Sequence, residues 1–193
     1  MRPAWSIATL RAGLPQFASI TPYMTNVSNI EDIANYVRTT LKDVVDIDML
    51  KVIRDSWQGN LIVKGINHVD DAMLAIAAGA DGIIVSNHGG RQFDAAQSPA
   101  TTLASIKAAV PGHIVVMADS GVESGVDIAR FISQGAATVF AGRAFLYGVA
   151  AHGKQGTEHT IDILRDELQQ VMTQLHCTKP SEISQHRLKI TTE

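Results

Sequence analysis

Two short stretches of this sequence share one pattern: AGADGII at residues 78–84 and QGAATVF at residues 134–140. Each ends a helical pattern with a glycine, continues with alanine and then enters an apolar run. Glycine just past a helix is a common stop signal, because it tolerates left-handed backbone angles. This succession occurs twice at the spacing of one βα unit, which favours a (β/α) barrel over a Rossmann-type sheet.

The same alternation extends over most of the chain from residue 50 onward. Short apolar runs rich in β-branched residues are separated by stretches of helical periodicity, as expected for parallel strands covered by helices. The sequence therefore predicts an α/β fold with four βα units, whereas a complete TIM barrel has eight in about 250 residues. The predicted strands are Leu61–Val63, Gly82–Val85, Ile114–Met117 and Thr138–Ala141, and the predicted helices are Val69–Ala78, Ser98–Val110, Gly125–Gln134 and Thr157–Leu175.

Residues 1–45 differ in character from the rest. They hold Pro3, Pro15 and Pro22, three of the six prolines, and polar stretches such as residues 25–29. We expect them to form a connecting segment separate from the α/β region at residues 46–193.

Composition limits the possible classes of function. With 193 residues, 46% of them apolar and 18% charged, the chain can bury a real core. A net charge of −3 without a Lys/Arg cluster argues against nucleic acid as a partner. The single cysteine, Cys177, suits a reducing compartment. Because neither a signal peptide nor an apolar run of about 20 residues is recognisable, we expect a cytosolic protein or one on a membrane surface.

Charged residues and glycine-rich turns follow each of the four predicted strands. In (β/α) barrels the chemistry takes place at the carboxyl ends of the strands. Singly, each residue has an ordinary explanation: Lys64 could extend into water, His88 could be a turn residue, and Arg143 could be an exposed cation at a helix start. Together they fall on one end of one sheet, which favours a site. The segments are Lys64-Gly65, Ser86 to Arg91, Asp119 to Val122, and Gly142-Arg143.

The residue types suggest which chemistry such a site would perform. Loops after the last two strands, followed by a helix start, offer backbone N–H groups to a phosphate, and Arg143 adds a fixed cation. His88 can move a proton near neutral pH, and the planar guanidinium of Arg91 suits a carboxylate. Lys64 could stabilise a developing anion. The pattern predicts a phosphorylated ligand and a carboxylate substrate.

Taken together, these residues resemble the FMN-dependent α-hydroxy-acid dehydrogenase and oxidase family, which includes L-lactate dehydrogenases, mandelate dehydrogenases and glycolate oxidases. The run SNHGGRQ at residues 86–92 is the most specific match. The resemblance covers nearly the whole chain and implies the C-terminal half of a TIM barrel, with FMN as cofactor. The other matching segments are Arg2–Trp5, Gly13–Gln16, Ile62–Gly65, Gly79–Gly82, Asp119–Val122, Gly142-Arg143, Glu158–Thr173 and Cys177–Ile183.

The resemblance also implies a role for each site residue. His88 would be the base that takes a proton from a bound 2-hydroxy acid while two electrons pass to the flavin. Arg91 would bind the substrate carboxylate, and Lys64 and Ser86 would contact the flavin. The residues implied to hold the ribityl chain and phosphate are Asp119, Ser120, Gly121, Val122, Glu123, Gly142 and Arg143.

Two features depart from the family pattern. Where the family commonly has a phosphate-facing arginine, this chain has Glu123. A carboxylate beside a phosphate is repulsive, so we expect FMN binding to weaken by about 1 kcal/mol or more unless Glu123 points away, and Arg143 would have to compensate.

The second departure is the extent of the barrel. In the family the first strands carry two active-site tyrosines, a second substrate-binding arginine and the aspartate that orients the base histidine, and residues 1–60 match none of those motifs. A half-barrel exposes two strand edges and its inner face. We therefore expect the chain to pair with a separate N-terminal half-barrel or with a second copy of itself.

Two classes of function stay open. One is FMN-dependent oxidation of an (S)-2-hydroxy acid such as L-lactate or mandelate, once the barrel is complete; the other is a non-catalytic FMN- or phosphate-binding half-barrel, or an inactive fragment. In lactate and mandelate dehydrogenases the segment matching residues 1–45 meets the membrane. That implies a cytoplasmic protein able to lie peripherally on the inner face of the cell membrane.

Two further kinds of site are disfavoured. A hydrolase built from Ser86, His88 and Asp94 is a poor fit, because no G-x-S-x-G elbow is present. The seven histidines show no metal-ligand spacing, so no metal is expected.

Overall fold

The computed structural model describes residues 3–13, 17–24, 29–40, 45–186 and 188. The chain divides into two units, Met1–Val45 and Asp46–Glu193. In the first unit, α1 spans Pro3–Ala12, a 3₁₀ turn spans Thr21–Tyr23, and α2 spans Ile30–Thr40. The sequence analysis did not predict these helices. Pro3 is compatible with α1, since it occupies the first turn. Arg2 and residues 14–16 of the matching segments lie outside the described residues.

The second unit holds four parallel strands in the order β1-β2-β3-β4. This confirms the predicted α/β fold with four βα units. Helix α3 precedes the sheet and was not predicted. The elements are α3 Ile47–Ser56, β1 Ile62–Ile66, α4 Val69–Ala77, β2 Gly82–Val85, α5 Pro99–Ala109, β3 Val115–Ala118, α6 Gly125–Ser133, β4 Thr138–Val139 and α7 Arg143–Gln174, with 3₁₀ turns at His88–Gly90 and Pro180–Gln185.

One face of the sheet packs on the helices and forms the core of this unit. Ile83 and Val85 of β2 are fully buried with Leu103 and Ile106 of α5. A smaller cluster joins Cys177 to helix α6 and the closing 3₁₀ turn through Ala129 and Ile183. Side chains that alternate onto the other face are more open: Ile62 is 49% exposed and Val115 is 47% exposed.

The glycine stops that predicted the fold have the expected geometry. Gly79 and Gly135, which follow α4 and α6, have φ angles of 95° and 103°, values that favour glycine. Each leads directly into the segment that forms the next strand. The helix C-terminal signal in the sequence is therefore confirmed at both places.

Helix α7 begins fourteen residues earlier than the predicted Thr157, at Arg143. Its first part was missed because three glycines weaken the helical pattern. The structure shows two helical segments joined at Gly153, where φ is 59°. The segments approach closely at Gly148 and Gly156, where an added Cβ on Gly156 would overlap the Gly148 carbonyl oxygen. These glycines are required by a close approach rather than by a turn.

Candidate active site

The carboxyl ends of the strands surround a cleft of about 590 Å³. Nearly all the side chains predicted from the sequence line it. A second cleft of about 400 Å³ shares Lys64 and His88 with the first and is also lined by Ser86. The predicted residues around the first cleft are Lys64, His88, Arg91, Asp119, Ser120, Gly121, Val122, Glu123, Gly142 and Arg143.

Lys64 lies within β1 rather than after it, which corrects the predicted end of that strand at Val63. The pairing of β1 with β2 shifts between Lys64 and Ile66, because Gly65 is an extra residue with φ 100°. A bulge of this kind re-aims nearby side chains. The Lys64 ammonium lies 2.9 Å from a carboxylate oxygen of Asp119 and donates to the Ser86 hydroxyl at 2.9 Å.

Asp119 follows β3 and is the more buried partner of this pair, its side chain 17% exposed against 43% for Lys64. Burial alone would raise its pKa. Hydrogen bonds from Ser86, Lys64 and Ser120, with the positive charge of Lys64, outweigh burial and lower the pKa below its ordinary value of 3.8. Asp119 is therefore a carboxylate at neutral pH and compensates the charge of Lys64.

The turn after β2 has an unusual backbone. His88, Gly89 and Gly90 have φ angles of 57°, 70° and 74°, and the left-handed region costs a non-glycine residue roughly 1 kcal/mol or more. The turn is held by its own amides: His88 N–H donates to the Ser86 hydroxyl at 3.1 Å, and Gly89 N–H donates to the Asn87 side-chain oxygen at 3.0 Å. The His88 side chain is exposed and lines both clefts.

Ser120 links this turn to the end of β3. Its hydroxyl accepts from Gly89 N–H at 3.1 Å and donates to Asp119 at 2.8 Å. Its backbone is left-handed, with φ 75°, and so is that of Gly121. Ser120, which the family resemblance implies would hold the ribityl chain or phosphate, thus joins two strand ends through its hydroxyl.

Arg143 reaches the same turn from the start of α7. A Cβ added to Gly89 would lie 3.2 Å from Arg143 Nη2, so the guanidinium packs against that glycine. Gly142 caps α7 without a side-chain hydrogen bond. A helix start with a neighbouring arginine attracts an anion.

The structure also adds residues that were not singled out from the sequence. Gly89, Phe140, Ala141 and Leu146 line the first cleft. Phe140 and Ala141 were placed in the last predicted strand, which ends at Val139 instead. Leu146 could have been found only by recognising that α7 begins at Arg143.

A further part of the second cleft is held by side-chain amides. Asn67 donates to the Gln97 carbonyl at 2.7 Å and accepts from Thr102 at 2.7 Å. Asn87 donates to the same carbonyl at 3.4 Å. These contacts tie the loop after β1 to the histidine turn and to the start of α5.

Among the residues that the structure describes, no group of three or more His, Cys, Asp or Glu side chains is placed so that it could hold a metal ion.

Known proteins resemble both the sequence and the fold. The profile of the family described as FMN-dependent dehydrogenase matches residues 1–190. An L-lactate dehydrogenase of Allorhizobium ampelinum is 40% identical over 185 residues, which are 95% of this chain and 49% of that protein. An L-lactate dehydrogenase of Alcaligenes faecalis is 39% identical over 186 residues, 96% of this chain and 48% of that protein.

Solved structures agree with these relatives. The crystal structure of the monotopic membrane protein (S)-mandelate dehydrogenase superposes with a TM-score of 0.85 at 37% identity, covering 94% of this chain and 48% of that one. A mandelate oxidase superposes with a TM-score of 0.69 at 34% identity, covering 72% of this chain and 43% of that one. The chain thus spans about half the length of the relatives that it matches. With a family profile matched over nearly all its residues, the chain belongs to the FMN-dependent dehydrogenase family.

Proposed function

We propose that this chain supplies the flavin-binding and proton-transfer residues of an FMN-dependent 2-hydroxy-acid dehydrogenase, which oxidises L-lactate or a related (S)-2-hydroxy acid to the 2-oxo acid once its barrel is complete. One observation carries the proposal: Lys64, His88, Arg91 and Arg143 line the same cleft at the carboxyl ends of the strands. The names of the relatives and the size of the cleft, which is in the usual range for small-molecule pockets, support it.

The donors in the two clefts fit FMN. Lys64 and Ser86, which both line the second cleft, would hold the flavin ring, and Gly142 and Arg143 at the start of α7, which line the first cleft, would hold the phosphate. A Cβ added to Gly121 or Gly142 would meet nothing within 4 Å, so the wall is open to a ligand there. When bound, FMN supplies an acceptor for two electrons.

The ribityl hydroxyls would be held by the turn after β3. Asp119 and Ser120 present oxygen atoms there, and Gly121, Val122 and Glu123 continue the same wall. Hydroxyl groups of a ligand can donate to such oxygens.

In this proposal His88 transfers the proton rather than Asp119, the carboxylate beside Lys64. Asp119 is paired with Lys64 and has a lowered pKa, so it is a weak base. An imidazole nitrogen of His88 would accept the hydroxyl proton of the substrate. Arg91 would hold the substrate carboxylate through its planar guanidinium. The anchored turn fixes the backbone of the base.

Titration of the purified chain with FMN, followed by anaerobic addition of L-lactate or (S)-mandelate, tests the proposal. We expect flavin fluorescence to be quenched on binding to the purified chain. Once a second half-barrel or a second copy covers the open face of the sheet, the flavin absorbance should bleach with substrate, but not in His88→Asn, which should still bind FMN. FMN retention without bleaching in that completed assembly supports the alternative, a non-catalytic flavin-binding half-barrel. Absence of FMN binding would overturn both.

The completed site requires a partner for the open face of the sheet. Ile62 and Val115 are 49% and 47% exposed, more than core positions of a closed barrel would be. We propose that another half-barrel, or a second copy of the chain, covers this face. A stable, non-aggregating monomer in sedimentation velocity would count against this partner.

The first unit is the candidate for contact with a membrane surface. Trp5, Ile7 and Leu10 of α1 are 53%, 50% and 81% exposed, and apolar side chains on a surface helix can enter the lipid interface. No helix among the described residues is both long and apolar enough to cross a bilayer. We propose that residues 1–45 connect to the α/β unit and rest peripherally on the cytoplasmic face of the cell membrane.

Vesicle sedimentation tests this placement. Leu10→Glu should reduce the bound fraction, whereas Met73→Glu, a substitution of an exposed apolar side chain on α4, should not. Equal binding of wild type and Leu10→Glu would contradict it.

A further inference from the structure

We propose that Glu123 is a specificity-determining residue that makes this cleft nearly indifferent to the phosphate of its cofactor, so that FMN and riboflavin bind with similar affinity. The inference rests on the proposed flavin site and concerns how that site treats the phosphate.

The inference depends first on the charged side chains that line the cleft. Its lining includes three cationic side chains, Lys64, Arg91 and Arg143, and two carboxylates, Asp119 and Glu123. Lys64 is compensated by Asp119 at 2.9 Å. At the proposed phosphate end, where α7 begins, Arg143 is then the attractive side chain, and Glu123, in the lining of the same cleft, is the repulsive one.

Glu123 is not neutralised by its surroundings. In the described part of the chain its carboxylate has no ion-pair partner within 4 Å; its backbone N–H donates to Asp127 at 3.2 Å. Asp127 is itself paired with Arg130 at 3.1 Å, so that arginine is already committed to another carboxylate. The negative charge of Glu123 thus acts on whatever occupies the neighbouring cleft, and the residue is exposed enough to be replaced without disturbing the core.

Riboflavin and FMN share the ring and ribityl chain and differ only in the phosphate, which carries close to two negative charges at neutral pH. The attraction of Arg143 and of the α7 start favours FMN, and Glu123 opposes it. The ratio of the two dissociation constants therefore measures the net effect of these groups on the phosphate, and the change of that ratio on substituting Glu123 isolates the effect of Glu123.

Fluorescence quenching of FMN and of riboflavin, at low ionic strength and pH 7.5, gives both dissociation constants for each variant. In wild type we expect them to agree within about threefold. Glu123→Gln should raise the preference for FMN over riboflavin about three- to tenfold and Glu123→Arg by more than about tenfold, because each substitution should change the affinity for FMN more than the affinity for riboflavin. Added inorganic phosphate should compete with FMN only in Glu123→Arg.

Glu158→Gln is the matched control, since Glu158 pairs with Lys154 on the second segment of α7 and does not line the cleft. It should leave the ratio unchanged, and circular dichroism should confirm that all variants fold. If wild type binds FMN much more tightly than riboflavin and the ratio is the same in both Glu123 variants, the inference is overturned while the proposed function stands. If neither flavin binds wild type or any variant, the proposed function fails and takes the inference with it.

Discussion

An ion pair lies at each end of the parallel sheet, and the two pairs have different surroundings. At the amino end, Arg54 Nη1 lies 3.1 Å from Asp81, and the same guanidinium donates to the carbonyls of Gly79 at 3.1 Å, Gly59 at 2.7 Å and Trp57. At the carboxyl end, Lys64 contacts Asp119 and Ser86, and 43% of its side chain is exposed. The Arg54 guanidinium is occupied by hydrogen bonds to backbone carbonyls. The Lys64 ammonium, in contrast, faces a cleft.

The difference indicates that the ion pair at the amino end of the sheet stabilises the fold, whereas the pair at the carboxyl end is available to a ligand. Arg54 connects the end of α3 to the turns before β1 and β2, and Asp81 in turn accepts from Leu61 N–H at 2.8 Å. That hydrogen bond, with Arg54 beside it, lowers the pKa of Asp81. Lys64 retains donor capacity, because an ammonium has three hydrogens. We expect changes at the first pair to affect folding and changes at the second to affect ligand binding.

The largest expected effect on folding comes from Arg54→Ala. Removing the guanidinium leaves several carbonyls and one carboxylate without their donor, which should lower the free energy of unfolding by about 2 kcal/mol. Urea unfolding followed by circular dichroism measures it. Arg165→Ala, at an arginine 63% exposed whose partners are Asp162 and Asp166, should cost less than about 0.5 kcal/mol. The affinity of Arg54→Ala for flavin should be unchanged. A large loss of affinity would contradict the difference that we expect between the two ends of the sheet.

Lys64→Met should have the opposite profile. We expect about a tenfold loss of affinity for both FMN and riboflavin, because in the proposed site the ammonium would contact the part that the two flavins share. The loss of stability should be smaller than for Arg54→Ala. Lys51→Met, which removes an exposed lysine that pairs with Asp48, serves as the control and should leave flavin binding intact.

Ser120 sharpens the comparison, since it combines backbone strain with hydrogen bonds. Ser120→Ala loses both bonds of the hydroxyl and retains the left-handed backbone, at a cost of about 1 kcal/mol in unfolding free energy. Ser120→Gly loses the same bonds and relieves the strain, so it should be more stable than Ser120→Ala by up to about 1 kcal/mol. Equal stabilities in thermal unfolding would show that φ 75° carries no strain at this site.

The smallest effect is the pH dependence that Asp119 contributes. Because its pKa is lower in the folded chain than its ordinary 3.8, its stabilising contribution is present above that value and is lost as the pH falls through the folded pKa. The stability difference between wild type and Asp119→Asn should therefore shrink on acidification below pH 4. Asp81 titrates in the same direction in both proteins, so its contribution cancels. A difference independent of pH would contradict the lowered pKa.

The sequence predicted the sheet well, because each strand is marked by chemistry that depends on neighbours in the chain. Gly79 and Gly135 each follow a helix with a positive φ angle and mark its end, and β2 was predicted with its observed ends, Gly82–Val85. Convergence of the strand ends could be predicted too, since parallel strands place their carboxyl ends at one edge. The start of α7 could not, because Gly148 and Gly156 weaken helix propensity locally while tertiary packing requires them.

The hydrogen bonds that connect the strand ends within the site could not be predicted from the sequence. The bond between Gly89 N–H and the Ser120 hydroxyl spans residues 31 apart and depends on left-handed angles at His88 and Ser120. Non-glycine residues rarely adopt such angles, so no local pattern predicts them. The residue types at the site were therefore predictable, whereas their mutual anchoring was not.

The close approach of Gly148 and Gly156 determines the position of the first segment of α7. Its outer end carries Arg143, roughly 7 Å along the helix axis from the crossing. A methyl group at Gly156 would push the segment aside at its base and so displace the guanidinium from Gly89. Sequence variation at a position outside the cleft could in this way adjust where the cation stands.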